Sequence, residues 1–173
     1  MIRIIESSAD CDDVEKRVVD SVSQTVRTLK ELLASRDSLP AFAAMKFELS
    51  GLHPIDERRV NLIEQINQTF TYLASIQAAR WLLEKHPEAV ALRLNLGTAA
   101  GSDIESLDGL IVAETFAAVN PNNNDKLRKD IAKVRATGAR HKYVFYICPA
   151  HPPTDVSSDE VRVVSLGRIG TSK

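Results

Sequence analysis

The sequence predicts an α/β chain of the α+β kind, with a helical first half and a mixed β-sheet in the second. Before Pro87 apolar side chains recur every three to four positions, the period of a helix buried on one face. Beyond Pro87 the period falls to two, the alternation of a half-buried strand. The third observation is bulk: 173 residues, 44% hydrophobic and 26% charged, suffice for a packed core and do not fit a disordered or fibrous chain. The reading is one domain over residues 1–173, mainly helical through 88 and a mixed sheet from 89.

Each element has its own signal. From Val14, the positions Val18, Val22, Val26, Leu29 and Leu33 give a helix ending near Ser35, with the hydroxyls of SVSQT as its polar face. A shorter helix follows Pro40 through Phe42, Met45 and Leu49, closed by Gly51. A long third helix, with Asp56 as its expected cap, carries Val60, Ile63, Ile66, Phe70, Leu73, Ile76 and Leu83 on one stripe up to Pro87. These stripes leave a face over, so a homodimer through the helical half is expected.

In the second half Leu92, Leu94 and Leu96 alternate with Arg93 and Asn95, and small residues follow from Gly97 to Gly101. A strand returns from Asp103 to Ser106, Asp108-Gly109 makes a turn, and Leu110–Val119 is the most apolar and hence central strand. Asn124 or Asp125 caps a helix with Leu127, Ile131 and Val134 inward, ending at Gly138. Strands at Tyr143–Cys148 and Val161–Leu166 flank the loop AHPPTD. The order is ααα then βββαββ.

Composition narrows the function. MIRIIESS lacks the long apolar segment of a signal peptide and no stretch approaches eighteen apolar residues, so a cytoplasmic protein with no membrane partner is expected. Cys11 and Cys148 form no framework. Net charge is −1, which does not advertise a nucleic-acid binder, but Asn124–Lys142 holds seven basic residues against Asp125 and Asp130, net +5. His53, His86, His141 and His151 have no zinc spacing, and there is no Walker A, GxGxxG or GxSxG. Tyr143, Phe145, Tyr146 and Trp81 read as packing residues.

The stretch GSDIESLDGLIVAETFAAVNP, residues 101–121, holds Asp103, Glu105, Asp108 and Glu114. Glu114 lies inside an apolar strand, where an uncompensated charge costs roughly several kcal/mol. Hairpin pairing brings Asp103 opposite it, with Glu105 farther along the same face. Two carboxylates about 4 Å apart repel by roughly 4 kcal/mol at an effective dielectric of 20, a penalty that a divalent cation converts into a binding site. Mg²⁺, or Mn²⁺, suits one or two carboxylates with water and phosphate completing the shell.

These residues resemble the PD-(D/E)xK nuclease superfamily, which includes restriction endonucleases and Holliday-junction resolvases. Its αβββαβ order is similar to that expected for residues 56–148, roughly half the chain. The resemblance implies Asp103 and Glu114 as metal ligands, and a Lys two positions beyond the glutamate that orients the attacking water. That position is Phe116. Lys126 and Lys129 are the expected substitutes, Glu64 is a further metal ligand, and Lys126, Arg128, Lys129 and Lys133 clamp the phosphates. Nucleic acid, DNA in the first place, is the implied partner and Mg²⁺-dependent phosphodiester hydrolysis the implied reaction. Because of Phe116, the alternative is a catalytically inactive nuclease-like fold acting as a nucleic-acid-binding or assembly module. Asp108 reads as a turn former.

Overall fold

The computed structural model describes residues 1–97, 99–158 and 160–167. Thr98, in the small-residue loop after the first sheet signal, lies outside them. The elements are β1 (Ile2–Ile5), α1 (Ser8–Ser35), α2 (Ser38–Phe47), β2 (Gly51–Leu52), β3 (Arg59–Val60), α3 (Leu62–Lys85), β4 (Leu92–Asn95), β5 (Ile104–Ser106), β6 (Ile111–Ala117), a 3-10 turn (Asn123–Asp125), α4 (Lys126–Arg135), β7 (His141–Ile147), β8 (Thr154–Ser158) and β9 (Val161–Ser165). The fold is α+β. The chain divides into two compact units, Met1–Cys11 with the residues from Leu73 onward, and Asp12–Tyr72.

The first unit is a seven-stranded sheet in the order β1-β4-β5-β6-β7-β9-β8. Strand β1, which composition does not betray, pairs antiparallel with β4, so the sheet recruits the N-terminus from the half expected to be helical through 88. Strands β4, β5 and β6 form an antiparallel meander. After α4, β7 lies parallel to β6 and β9 parallel to β7, and β8 closes the edge antiparallel to β9. The polar TDVSS of β8 gave no strand signal because an edge strand needs no apolar face. β6 is central, as its apolar run requires.

Alternation assigns the two faces of this sheet. Val112 and Phe116 of β6, Val144 and Tyr146 of β7, and Val161 of β9 pack with Val134 of α4. Ala113 and Thr115 face the other way, toward the second half of α3, where Ser75 Oγ lies 2.7 Å from Thr115 Oγ1. On that side Trp81 packs edge-on against Tyr143 and Phe145. Cross-strand partners share a face, so Ile4, Arg93, Glu105 and Val112 belong to the α4 side. Over β1 that side is open: Ile2 and Ile4 are exposed.

In the second unit α1 presents Val14, Val18, Ser21, Thr25 and Leu32 inward, not the whole predicted stripe, and Val26 and Leu33 are exposed. Ser21 and Thr25 of SVSQT are therefore not on a solvated face, while Ser23 is exposed. Ser21 Oγ donates to Leu52 O at 2.7 Å and Thr25 Oγ1 to Gln65 Oε1 at 2.6 Å, while Gln65 Nε2 donates to Ser21 Oγ at 3.0 Å. Gly51 stands so close to this amide that an added Cβ would lie 2.4 Å from Gln65 Oε1. α3 starts later than expected. Residues 53–58 form a turn with Glu57 at φ 59°, β2 pairs with β3, and Asn61, not Asp56, accepts the Glu64 N–H at 2.8 Å.

Candidate active site

The β5–β6 hairpin positions the first two acids. Ile104 pairs with Ala113 and Glu105 with Val112, so the next step of the antiparallel register sets Asp103 beside Glu114. Asp103 Oδ2 accepts the Thr115 N–H at 2.8 Å and the Thr115 hydroxyl at 3.3 Å, which fixes its carboxylate at the end of the hairpin pairing. The Asp108-Gly109 turn holds the register: Asp108 Oδ1 accepts from Ser106 Oγ at 2.5 Å and from the Leu110 N–H at 3.0 Å, and Gly109 takes φ 74°. Asp108 is a turn former. Glu105 is taken up by Arg93 and by the Ser102 N–H at 3.0 Å.

Helix α4 supplies the rest. Its phase puts Lys126, Asp130 and Lys133 on one row, at spacings of four and three. Lys133 Nζ lies 2.7 Å from Glu114 Oε1 and donates to Gly101 O at 3.0 Å. Lys126 Nζ donates to Asp130 Oδ1 at 2.7 Å and stands 5.8 Å from the centre of the Phe116 ring. Asp130, which the sequence reading passed over, is 4% exposed, and Glu114 2%. The N-terminus of α4 is not capped as expected: Asn124 and Asp125 both have positive φ, 55° and 56°, and no side chain caps the helix.

The electrostatics follow from burial. Glu114 is pushed above the usual carboxylate range by desolvation and by the Asp103 charge, against the pull of Lys133. Asp130 is raised by desolvation, with Lys126 opposing. For Lys133 burial acts downward, but Glu114, Asp103 and Asp130 together outweigh it and the ammonium is raised. Three acids and two ammonium groups leave a net charge of −1 here. Two buried oxygens, Glu114 Oε1 and Asp130 Oδ2, accept no aligned hydrogen bond, although the Lys133 ammonium lies against the first.

The placements differ from the sequence expectation in three ways. Glu64, expected as a metal ligand, is engaged by Arg58 at 2.6 Å and by Gln68 at 3.2 Å, because α3 begins at Leu62 and the Arg58 turn folds back on it. Lys129, expected beside the glutamate, donates to Asn124 O at 3.1 Å, and Lys126 reaches Asp130 and not Glu114. Lys133, expected to clamp phosphate, is the cation at Glu114, since only that turn of α4 overlies the middle of β6. Arg128 projects outward and pairs with Asp125 at 3.0 Å.

The donor set suits a hard divalent cation in kind, since carboxylate oxygens are its ordinary ligands and two buried ones lack aligned donors. Among the described residues no group of three or more His, Cys, Asp or Glu is arranged to hold a metal ion. The fit is therefore to the one or two carboxylates that Mg²⁺ takes when water and phosphate complete its shell. Comparison with family models, with curated proteins and with solved structures found no match. No helix among the described residues is long and apolar enough to cross a membrane.

Proposed function

We propose that this chain is a metal-dependent nuclease-like domain that hydrolyses a phosphodiester of nucleic acid, in the first place DNA, as its resemblance to the PD-(D/E)xK superfamily implied. The observation that carries this reading is Lys133 Nζ at 2.7 Å from Glu114, an ammonium at the glutamate although Phe116 occupies the motif position. The continuous succession α3-β4-β5-β6-α4-β7 supports it, because it matches the αβββαβ order of that superfamily.

Asp103 and Glu114 would hold Mg²⁺ or Mn²⁺, which when bound polarises the phosphate and lowers the pKa of water. The residues of the chain do the remainder. Substrate approaches from the open side of the sheet, over β1, β4 and β5, because α4 covers the other strands. Lys133 holds a positive charge where the phosphorane charge develops, and Lys126 adds a second about two turns away along α4. Arg128 and Lys129, on the outer part of α4, contribute backbone charge neutralisation. Phe116 and Tyr146, stacked with centroids 5.7 Å apart, keep water from the inner side of Glu114.

The test is nicking of supercoiled plasmid in Mg²⁺ and in Mn²⁺. Asp103→Asn and Glu114→Gln lose cleavage, and Lys133→Ala loses roughly a hundredfold or more, with far-ultraviolet circular dichroism unchanged. Undiminished cleavage by Asp103→Asn and Glu114→Gln ends the reading.

The inactive binding or assembly module is the second reading, and one observation favours it: Lys133 already neutralises Glu114 without a metal. It predicts plasmid binding without nicking. In either case a second copy of the chain, meeting through the helical half, is the further partner.

A further inference from the structure

Asp130 has no task in the mechanism above. It is a carboxylate 4% exposed on the same row of α4 as Lys133, and one of its oxygens, Oδ1, holds Lys126 at 2.7 Å. The other, Oδ2, is buried and accepts no hydrogen bond. A buried acceptor left open costs folding free energy, so such an atom calls for a use.

Lys133 is the donor within its reach. Side chains three positions apart on a helix are neighbours, with Cβ atoms about 5–6 Å apart. Burial raises the Asp130 carboxyl, and the charges of Lys126 and Lys133 pull it the other way. In the structure the Lys133 ammonium lies 2.7 Å from Glu114 Oε1 and donates to Gly101 O at 3.0 Å. Both are oxygens of the kind that a hard divalent cation takes. The contact with Glu114 is ionic and not directional, since Oε1 accepts no aligned hydrogen bond. The lysine side chain keeps 48% of its surface, so its four-carbon stem turns in water and not through packed core.

We propose that Lys133 has two seats: its ammonium is the resident cation of Glu114 and Gly101, and it moves to the open oxygen of Asp130 when a divalent cation enters at Asp103 and Glu114. This rests on the metal-site reading above and gives Asp130 the part of a positioning residue, which keeps the displaced ammonium in the cluster. Every charge stays paired. Before the exchange Lys133 answers Glu114 and Lys126 answers Asp130; after it the divalent cation answers Asp103 and Glu114, and Asp130 holds one ammonium at each oxygen. The lysine thereby sets the metal affinity, because only molecules whose Lys133 has left Glu114 are competent to bind.

Mn²⁺ binding, read from the electron paramagnetic resonance of the free ion, tests this without reference to cleavage. Lys133→Met keeps the length of the stem and removes the charge, and is expected to bind Mn²⁺ roughly tenfold or more tightly than wild type. Lys126→Met removes the same charge from the cluster without touching Glu114, and is expected to change the affinity by less than about threefold. Equal gains in the two variants would mean a general field effect and overturn the exchange. Asp130→Asn is expected to weaken Mn²⁺ binding in the wild-type background and not in the Lys133→Met background; equal weakening in both overturns the role of Asp130. The unmutated chain supplies a second measurement. With lysine isotope-labelled at Cε, the Lys133 resonance is expected to shift as Mg²⁺ binds, and a resonance that stays still overturns the proposal. Mn²⁺ bound equally by wild type and Lys133→Met removes the exchange and leaves the metal site standing, whereas Mn²⁺ bound by neither removes both. Plasmid nicking is followed separately.

Discussion

Lys133 Nζ on α4 stands 2.7 Å from Glu114 Oε1 on β6, and the glutamate is 2% exposed while the lysine side chain keeps 48% of its surface. The pair thus joins a buried acid to a base that still reaches solvent. Removing the lysine strands a charge that water cannot reach, whereas removing the glutamate leaves an ammonium that water solvates.

The two deletions are therefore unequal. Lys133→Ala is expected to cost about 1–3 kcal/mol after allowance for screening at its half-exposed ammonium, and Glu114→Gln less. In the double variant most of the loss returns, because no buried charge is left. Urea unfolding of the four proteins in a double-mutant cycle measures this; equal costs for the two single variants would contradict the burial asymmetry.

Stability should follow pH in a defined sense. Glu114 and Asp130 are both raised, from ordinary values of 4.5 and 3.8. A raised acid binds its proton more tightly in the folded state, so its contribution is fully present below the unfolded value and is lost as pH rises through the folded one. The melting temperature of Glu114→Gln relative to wild type is thus expected to climb from pH 4 upward through the acid range. A falling difference across the same range would mean that Lys133, not burial, governs the glutamate.

Metal binding has a readout independent of catalysis. A ligand bound only to the folded chain at about a hundred times its dissociation constant adds about 2.7 kcal/mol. Millimolar Mg²⁺ or Mn²⁺ should raise the melting temperature of the wild type by several degrees and leave Asp103→Asn unmoved. No shift in the wild type at any millimolar concentration favours the inactive module.

The second unit offers a packing test. Gln65 Oε1 accepts from Thr25 Oγ1 at 2.6 Å and from the Leu52 N–H at 2.8 Å, and Gly51 leaves it room. Gln65→Ala is expected to cost about 2–4 kcal/mol by stranding buried donors, and Gly51→Ala about 1–3 kcal/mol by displacing the amide. Thermal unfolding followed by circular dichroism decides both, and a neutral Gly51→Ala would show that the amide swings aside freely.

Local pattern made much of this legible. The change of period near Pro87 marks the shift from helix to strand, the apolar run around Glu114 announces the central strand, and Asp108-Gly109 announces the hairpin that brings Asp103 to it. What was not legible had weak local signals or depended on distant partners. β1 is four residues long and β8 is polar, so neither declares itself without its neighbour. The polar face of SVSQT was indistinguishable from a solvated one, because a buried hydroxyl and an exposed one look alike until Gln65, forty residues on from Thr25, is placed against it.

The sequence by itself determined the α+β class, the hairpin and the isolated acid in an apolar strand, since these follow from side-chain periods of two and 3.6 and from turn residues next to one another in the chain. Only the tertiary structure decided which cation serves that acid. Lys126, Lys129 and Lys133 are equivalent by composition, and the choice of Lys133 follows from the phase and placement of α4 over β6. Such placement arises from the packing of Val134 against Val112 and Phe116, contacts between residues about twenty positions apart that no local period encodes.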